Sequence, residues 1–434
     1  QVLKNSGKKR PRRGLFLFLI ITNIIICQKS PEPFISNIKW QGNTKTEDYI
    51  IRREIRHSLN TPFDSTIAIE DRNRIDNLGL FSETSWEVIP LDDGTSKLVY
   101  IVVESIQSTP PIAFPTYSED TGWSLVGLWM VSNFRGRNQA FAIGGSLGGE
   151  STYGINFNDP WMFGDHVSLS LNLGRTYFRH RFLHTDVDVN SLYINFGKWF
   201  GSAIKTSAGI EIESKKFLDE QHRDRFFYYS PTATIKFDTR DIFWNPSRGI
   251  LFSHYIYHQQ GIDPQGWRLT LWIQSYSWFY KINNFGKKTV FAVNGSIQRK
   301  MGNKGEYWLD YFGNSRTVRG WPLPDSKLYL SGKENFRFGH ESIYGSIEIR
   351  KELIPKYATP IGAELGLLAT VFADAGIIAN DWHDILEQVP IYGVGAGIRI
   401  PFPMVGVIRI DYGWGYRGGI WNSGALYWGI GQKF

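Results

Sequence analysis

The 434-residue sequence contains one cysteine, Cys27, and four methionines. A lone thiol excludes an intramolecular disulfide framework and a cysteine-based zinc site. The nine histidines are scattered without metal-ligand spacing, and no nucleophile, base and acid fall into a catalytic pattern. "GGSLG" (Gly144 to Gly148) matches a nucleophile-elbow spacing, but that chemistry needs a strand-to-helix turn and the following "ESTYGINF" alternates like a strand. "GVGAG" (Gly393 to Gly397) is a glycine-rich strand without the βαβ context of a dinucleotide site. The expectation is a protein that is not an enzyme and uses no metal or cofactor. Long apolar runs are scarce too, and the mean hydropathy of −0.26 excludes a bundle of transmembrane helices. Leu15 to Cys27 is the conspicuous apolar stretch. It is short for a bilayer span and fits the core of an export signal, preceded by Lys4, Lys8, Lys9, Arg10, Arg12 and Arg13. Residues 1–27 are therefore expected to be a signal peptide or export segment. Ile26 is larger than the small residue that precedes a lipidated cysteine. Removing those six charges takes the formal net charge from +7 to +1, so the basic excess carries no nucleic-acid signal.

What is abundant is aromatic and glycine: 15% Phe, Trp and Tyr, with 16 Trp and 44 Gly. Residues 34–105 read as strand, helix, helix, strand, strand. "FISNIKWQGN" alternates; "TEDYIIRREIRHSL" suggests a helix capped by Thr46; "DSTIAIEDRNRIDNLGLF" suggests a second, capped by Asp64 or Ser65 and ending near Gly79. Two strands split by "DDG" follow.

From residue 111 to Phe434 no helical period survives. Val167, Leu169, Leu171 and Leu173 oppose Ser168, Ser170 and Asn172. Trp267, Leu269, Leu271 and Ile273 are expected to oppose Arg268, Thr270 and Gln274 as the lipid face. Ile343, Ile347 and Ile349 oppose Tyr344, Ser346, Glu348 and Arg350, and Ile408, Ile410 and Tyr412 oppose Arg409 and Asp411. Roughly sixteen such runs approach the ~9–11 residues of a tilted membrane strand. Trp161, Trp199, Trp244, Trp321, Trp414 and Trp428 cluster at their ends, as interfacial girdles do. The fold class expected is a transmembrane antiparallel β-barrel of about sixteen strands over 111–434, preceded by one small α+β domain. A closed barrel leaves no backbone edge facing lipid.

The first module resembles a POTRA domain: Gly42-Asn43 after its first strand, Leu78 to Phe81 closing its second helix, and Val102-x-Glu104 in its last strand. "TVRGW" (Thr317 to Trp321) resembles the VRG-aromatic signature of the Omp85 superfamily of bacterial surface antigens and BamA-like outer-membrane assembly barrels, with Trp where Phe or Tyr is usual. "FDTRD…NPSRG" (Phe237 to Gly249), "GSIEIRKEL", "FADAG" (Phe372 to Gly376) and "YWGIGQKF" follow the family's order. The resemblance implies an outer-membrane location, a POTRA domain in the periplasm, and insertion of unfolded outer-membrane protein clients, with periplasmic or lipoprotein accessory subunits as possible partners. A two-partner-secretion pore or a passive channel are the alternatives.

It also implies a loop folded into the lumen. Arg319 is expected to pin that loop to Glu348 and Asp374, with Val318 filling space beside it, Gly320 allowing close passage, and Trp321 completing the motif. Asp238, Arg240 and Asp241 read as a charge cluster that stabilises a strand end and its turn. Gly429, Gly431 and Phe434 mark a last strand that glycine weakens. Pro111 and Pro115 remove donors from the first strand, so the seam between the two is expected to be the weakest joint.

Overall fold

The computed structural model describes residues 32–118, 122–163, 166–180, 182–218, 225–262, 266–282, 287–324, 331–360, 363–402 and 406–434. The export segment expected at 1–27 lies outside them. In the N-terminal module, β1 (Phe34–Gln41), α1 (Asp48–Arg52), β2 (Thr61–Pro62), α2 (Ser65–Asp76), β3 (Phe81–Pro90) and β4 (Ser96–Glu104) follow in sequence. The sheet order is β2-β1-β4-β3, with β1 parallel to β4. Ile35, Ile50, Ile51, Leu80, Leu98 and Tyr100 are buried in its core. Asp71 is buried there as well. It accepts hydrogen bonds from the Arg56 and His57 amides at 2.9 and 3.0 Å and from the Tyr100 hydroxyl at 2.7 Å. Its charge is thereby matched by donors, as a buried carboxylate requires.

The second helix begins as its sequence suggests, Asp64 accepting from the Thr66 and Ile67 amides at 2.7 and 3.3 Å. The first does not. It has five residues and its N-cap, Glu47, makes no side-chain cap. Thr46 instead accepts from Asn133 Nδ2 at 2.9 Å, because this end of the module is docked on the rest of the chain.

That remainder is one antiparallel sheet. Its strands are β5 (Ile112–Ser118), β6 (Gly122–Phe134), β7 (Gln139–Gly148), β8 (Glu150–Asp159), β9 (Val167–Arg179), β10 (Asp186–Phe200), β11 (Ile204–Phe217), β12 (Arg225–Asp238), β13 (Arg248–Gly261), β14 (Arg268–Ile282) and β15 (Thr289–Gly302). In the long connection that follows, β16 (Asp310–Tyr311) and β17 (Phe338–Gly339) pair as a short ribbon. Then come β18 (Glu341–Ala358), β19 (Glu364–Ala379), β20 (Ile391–Phe402), β21 (Gly406–Arg417), the two-residue β22 (Ile420–Trp421) and β23 (Ala425–Ile430). Sixteen of these build the barrel wall; β22 only extends the turn after β21. No helix among the described residues is long and apolar enough to cross a membrane.

The strand order brings β5 round beside β23. Among the described residues, however, no ladder joins them: β5 pairs with β6 and β23 with β21. The closed ring of hydrogen bonds expected from the sequence is thus open at one seam. The two strands at the seam are the shortest of the sixteen, seven and six residues long.

The alternation resolves into an apolar outside and a polar inside. Leu173, Phe196, Ile347, Val371, Ile410 and Trp428 are exposed on the outer face, whereas Glu348, Arg350, Arg399, Arg409 and Asp411 are buried within. β14 departs from the expected faces. Leu269, Leu271 and Ile273 share the parity of Ser277 and Phe279, which point inward. The outward face carries Tyr276, Trp278 and Tyr280, 39–55% exposed. Those aromatics, not the apolar start of the strand, decide its register.

The N-terminal module sits on one rim. The Glu47 amide donates to the Gly136 carbonyl at 2.9 Å. Asn77 donates to the Asp241 carbonyl at 3.1 Å and accepts from the Phe243 amide at 2.9 Å. The turns at this rim are short (135–138, 201–203), while the longest connection, 303–340, leaves the opposite rim and folds inward.

Candidate functional site

The inward-folded connection carries Val318, Arg319, Gly320 and Trp321, all buried. A guanidinium without water needs carboxylates, and its planar fork suits them. Arg319 Nε and Nη2 donate to the two oxygens of Asp374 on β19 at 2.8 and 2.9 Å. Its own amide donates to the same carboxylate at 3.0 Å. Nη1 lies 2.8 Å from Glu348 Oε1 on β18 and 2.9 Å from Asp411 Oδ2 on β21. Nη2 reaches the Ser346 hydroxyl at 3.2 Å, and the guanidinium stands 3.5 Å over the centre of the Phe372 ring. One side chain therefore ties the connection to three wall strands.

The acids are shared with other cations. Arg350 lies 2.7 Å from Glu348, Arg399 2.5 Å from Asp411, and Lys433 2.8 Å from Asp374. Three carboxylates thus face five cations once Arg409, 3.6 Å from Asp411, is included.

Close approach explains the glycines. Gly320 has φ +94°, and a Cβ there would sit 2.6 Å from the Trp414 carbonyl. A Cβ on Gly393 would lie 1.7 Å from the Arg319 oxygen, and one on Gly395 2.6 Å from the Phe372 ring. The "GVGAG" stretch is the floor on which the loop tip rests. Val318 packs with Phe312, Trp321, Ile378 and Ile391. Trp321 Nε1 donates to the Tyr392 carbonyl at 2.9 Å, and the Trp321 carbonyl accepts from the Tyr427 hydroxyl on β23.

Of the sequence-named residues, the structure brings Arg319, Glu348 and Asp374 together. Asp411, Ser346, Phe372 and Lys433 join them without having been singled out. Asp411 was legible only as a lumen charge. Phe372 had a signal: it lies two residues before Asp374, hence on the same face.

Asp238 and Arg240 form a bidentate pair at 2.9 Å, with Lys205 3.3 Å away. Asp241 accepts from the Ser247 amide at 2.8 Å and from its hydroxyl. Burial alone would push the Asp241 carboxyl up; the hydrogen bonds from Ser247 outweigh it and hold the group below its usual value. This cluster shapes the turn that meets Asn77 and stands apart from the Arg319 site.

β23 ends at Ile430, and Gly431, φ +83°, turns the chain inward. Phe434 lies against Phe279, Val290 and Ala292 on the inner wall, not on the outer face. A Cβ on Gly429 would come 3.1 Å from the Arg409 guanidinium.

A barrel of sixteen strands, an inward loop pinned by a buried arginine, and a small α+β module on one rim define an architecture that comparison with known proteins places. The model of the Omp85 superfamily domain matches residues 133–434, and that of the surface antigen variable number repeat, a POTRA domain, matches residues 33–105. The chain belongs to the Omp85 superfamily. It is 20% identical over 439 aligned residues to the outer membrane protein assembly factor BamA of Nitratidesulfovibrio vulgaris, covering 96% of this chain and 53% of that protein. It is 25% identical over 156 residues to BamA of Neisseria meningitidis serogroup B, covering 36% of this chain and 20% of that protein. The chain thus spans at most about half the length of these curated relatives. Among solved structures, BamA from Haemophilus ducreyi lacking POTRA domains 1–3 superposes with a TM-score of 0.53 at 14% identity, over 92% of this chain and 84% of that one. CdiB from Escherichia coli gives 0.50 at 11% identity, over 95% and 92%.

Proposed function

We propose that the chain inserts outer-membrane proteins into the bacterial outer membrane, its POTRA domain receiving clients on the periplasmic side. The observation that carries this reading is the seam: β5 and β23 are neighbours with no ladder between them among the described residues. An unpaired edge is a template for an incoming strand, and Arg319 ties together the wall next to it, β18, β19 and β21. The relatives named as assembly factors support the same reading. The orientation is supported by the short turns at the POTRA rim and the long connection at the other, the usual asymmetry of outer-membrane barrels. Unfolded barrel chains are the clients, and periplasmic or lipoprotein subunits the accessory partners.

The test is a cysteine pair across β5 and β23 in a Cys27→Ser background. The oxidised protein in liposomes is expected to lose insertion of an unfolded outer-membrane barrel, and to regain it on reduction. Insertion that persists under oxidation sinks the seam mechanism. Release of a soluble client across the liposome, without any inserted barrel, points instead to a two-partner-secretion pore.

A further inference from the structure

A cavity of about 830 Å³ lies between the POTRA domain and the barrel, lined by Arg52 and Arg53 on one side and Arg135 and Arg137 on the other. Among the described residues its single lining acid, Asp159, is occupied by Gln139 Nε2 at 2.6 Å and the Trp161 amide at 2.8 Å. Arg53 is 11% exposed. Its guanidinium stands 4.2 Å over the centre of the Trp161 ring. Nε is 3.4 Å from Glu54, yet neither Nε nor Nη2 has a hydrogen-bond partner among the described residues. A buried guanidinium with two idle donors is costly unless an acceptor comes to it.

The other wall is apolar and faces outward. Phe157 shares the outer face of β8 with Tyr153 and Ile155, 59% and 42% exposed. Phe134 lies 6.1 Å, ring centre to ring centre, from Phe141, which shares the outer face of β7 with Ile143. The cavity thus joins a basic roof to the oily outside of the barrel at the rim, the depth at which headgroups lie.

We propose that this cavity holds the headgroup of an anionic phospholipid from the leaflet on the POTRA side. The phosphodiester oxygens accept from Arg53, Arg135 and Arg137, and the acyl chains run along Phe134 and Phe157. Four arginines against two engaged acids, Asp159 and the Glu54 that pairs with Arg53, leave a positive excess that favours net negative charge over a zwitterion, and arginine is the side chain suited to phosphate. The volume falls in the ordinary range of ligand pockets, ~300–1,000 Å³. The lipid would tie the POTRA domain to the wall close to the seam. The site rests on the reading of the strands as membrane-spanning.

The full chain in non-ionic detergent is titrated with phosphatidylglycerol and with phosphatidylcholine of the same acyl chains, and bound lipid is counted by native mass spectrometry. Phosphatidylglycerol is expected to bind at least about tenfold more tightly, a factor that corresponds to ~1.4 kcal/mol. Arg135→Asn with Arg137→Gln, on an exposed turn, is expected to remove that preference while circular dichroism and heat-modifiable mobility stay unchanged. Arg53→Lys, which keeps the charge and loses the fork, is expected to weaken binding severalfold. Equal affinity for the two lipids, or an unchanged preference in the double variant, overturns the site. Displacement of the lipid by inorganic phosphate alone assigns the cavity to a soluble phosphate and overturns the lipid. A chain that never enters liposomes refutes the membrane reading itself, a result distinguishable from loss of lipid preference.

Discussion

Replacing Arg319 by alanine tests the lumen site most directly. The side chain makes two bonds to Asp374, contacts Glu348 and Asp411 at 2.8 and 2.9 Å, and reaches Ser346. Stripping one partner from a buried ion pair typically costs ~3–5 kcal/mol. The upper value applies where the abandoned acid has no other cation. Here each acid keeps one: Asp374 keeps Lys433, Glu348 keeps Arg350, and Asp411 keeps Arg399. The expected loss is therefore near ~3 kcal/mol, with the cost falling on the loop more than on the wall. Asp374→Asn should cost at least as much, because it leaves both Arg319 and Lys433 short of charge. Arg319→Lys should fall between wild type and alanine, since a single ammonium cannot reproduce the fork. The assays are the temperature at which the folded barrel loses its heat-modifiable mobility and hydrogen exchange across residues 314–321. Exchange in the alanine variant should rise in that segment while β10 to β13 stay protected. If Arg319→Ala and Asp374→Asn leave both readouts at wild type, or if their effects simply add in the double variant, the two side chains are not coupled and the lock does not exist.

Three further outcomes follow from the same contacts. Gly393→Ala places a methyl group 1.7 Å from the Arg319 oxygen and should displace the loop at ~1–3 kcal/mol; Gly295→Ala, with nothing within 4 Å, is the control, and equal melting of the two refutes the close approach. Asn77→Ala removes both bonds to the 241–243 turn and should speed proteolysis between the POTRA domain and the barrel without lowering barrel stability; unchanged cleavage would show that the docking is held elsewhere. Burial pushes the Glu104 carboxyl up, but bonds from the Thr44 hydroxyl and the Lys45 and Thr46 amides outweigh it and hold the group below its ordinary value. A depressed folded-state pKa means stability present above the unfolded value of ~4.3 and lost as pH falls through the folded one, so the Lys45 and Thr46 amides should exchange faster on acidification in wild type and independently of pH, after correction for intrinsic exchange, in Glu104→Gln.

Much of this was legible in the sequence because strands impose a period of two. Glu348 and Arg350 could be placed on the lumen face from their neighbours Ile347 and Ile349, and the order of motifs pointed to Arg319. The pairing with Asp411 was not legible. Asp374 and Asp411 lie two strands apart, and which lumen acids converge on one guanidinium depends on the curvature of the wall. The role of Gly393 was hidden for a related reason: the backbone that needs its emptiness, at the Arg319 carbonyl, comes from a loop about seventy residues earlier. β14 misled because its apolar start is out of phase with the aromatic belt further along. Lys433 and Phe434 were not legible either: β23 ends at Ile430 and Gly431 turns the chain off the strand, after which alternation says nothing.

The lock and the seam have consequences for each other. Arg319 joins acids on β18, β19 and β21 while its backbone lies on Gly393 of β20, so four consecutive strands are held to one loop. β18 and β19 are paired over most of their length, whereas β23 meets β21 at six positions and β5 at none among the described residues. Motion of the wall is therefore cheapest at β23 and is opposed one strand further on. The last strand is not free of the lock, because the Tyr427 hydroxyl donates to the Trp321 carbonyl and Lys433 lies 2.8 Å from Asp374. An outward swing of β23 must break those two contacts and, where it carries the chain end with it, the Gln432 bond to the Trp244 carbonyl and the packing of Phe434 on Phe279, Val290 and Ala292. On the proposed function this confines opening to the edge that a client strand needs, and it lets the inward loop set how far that edge can move.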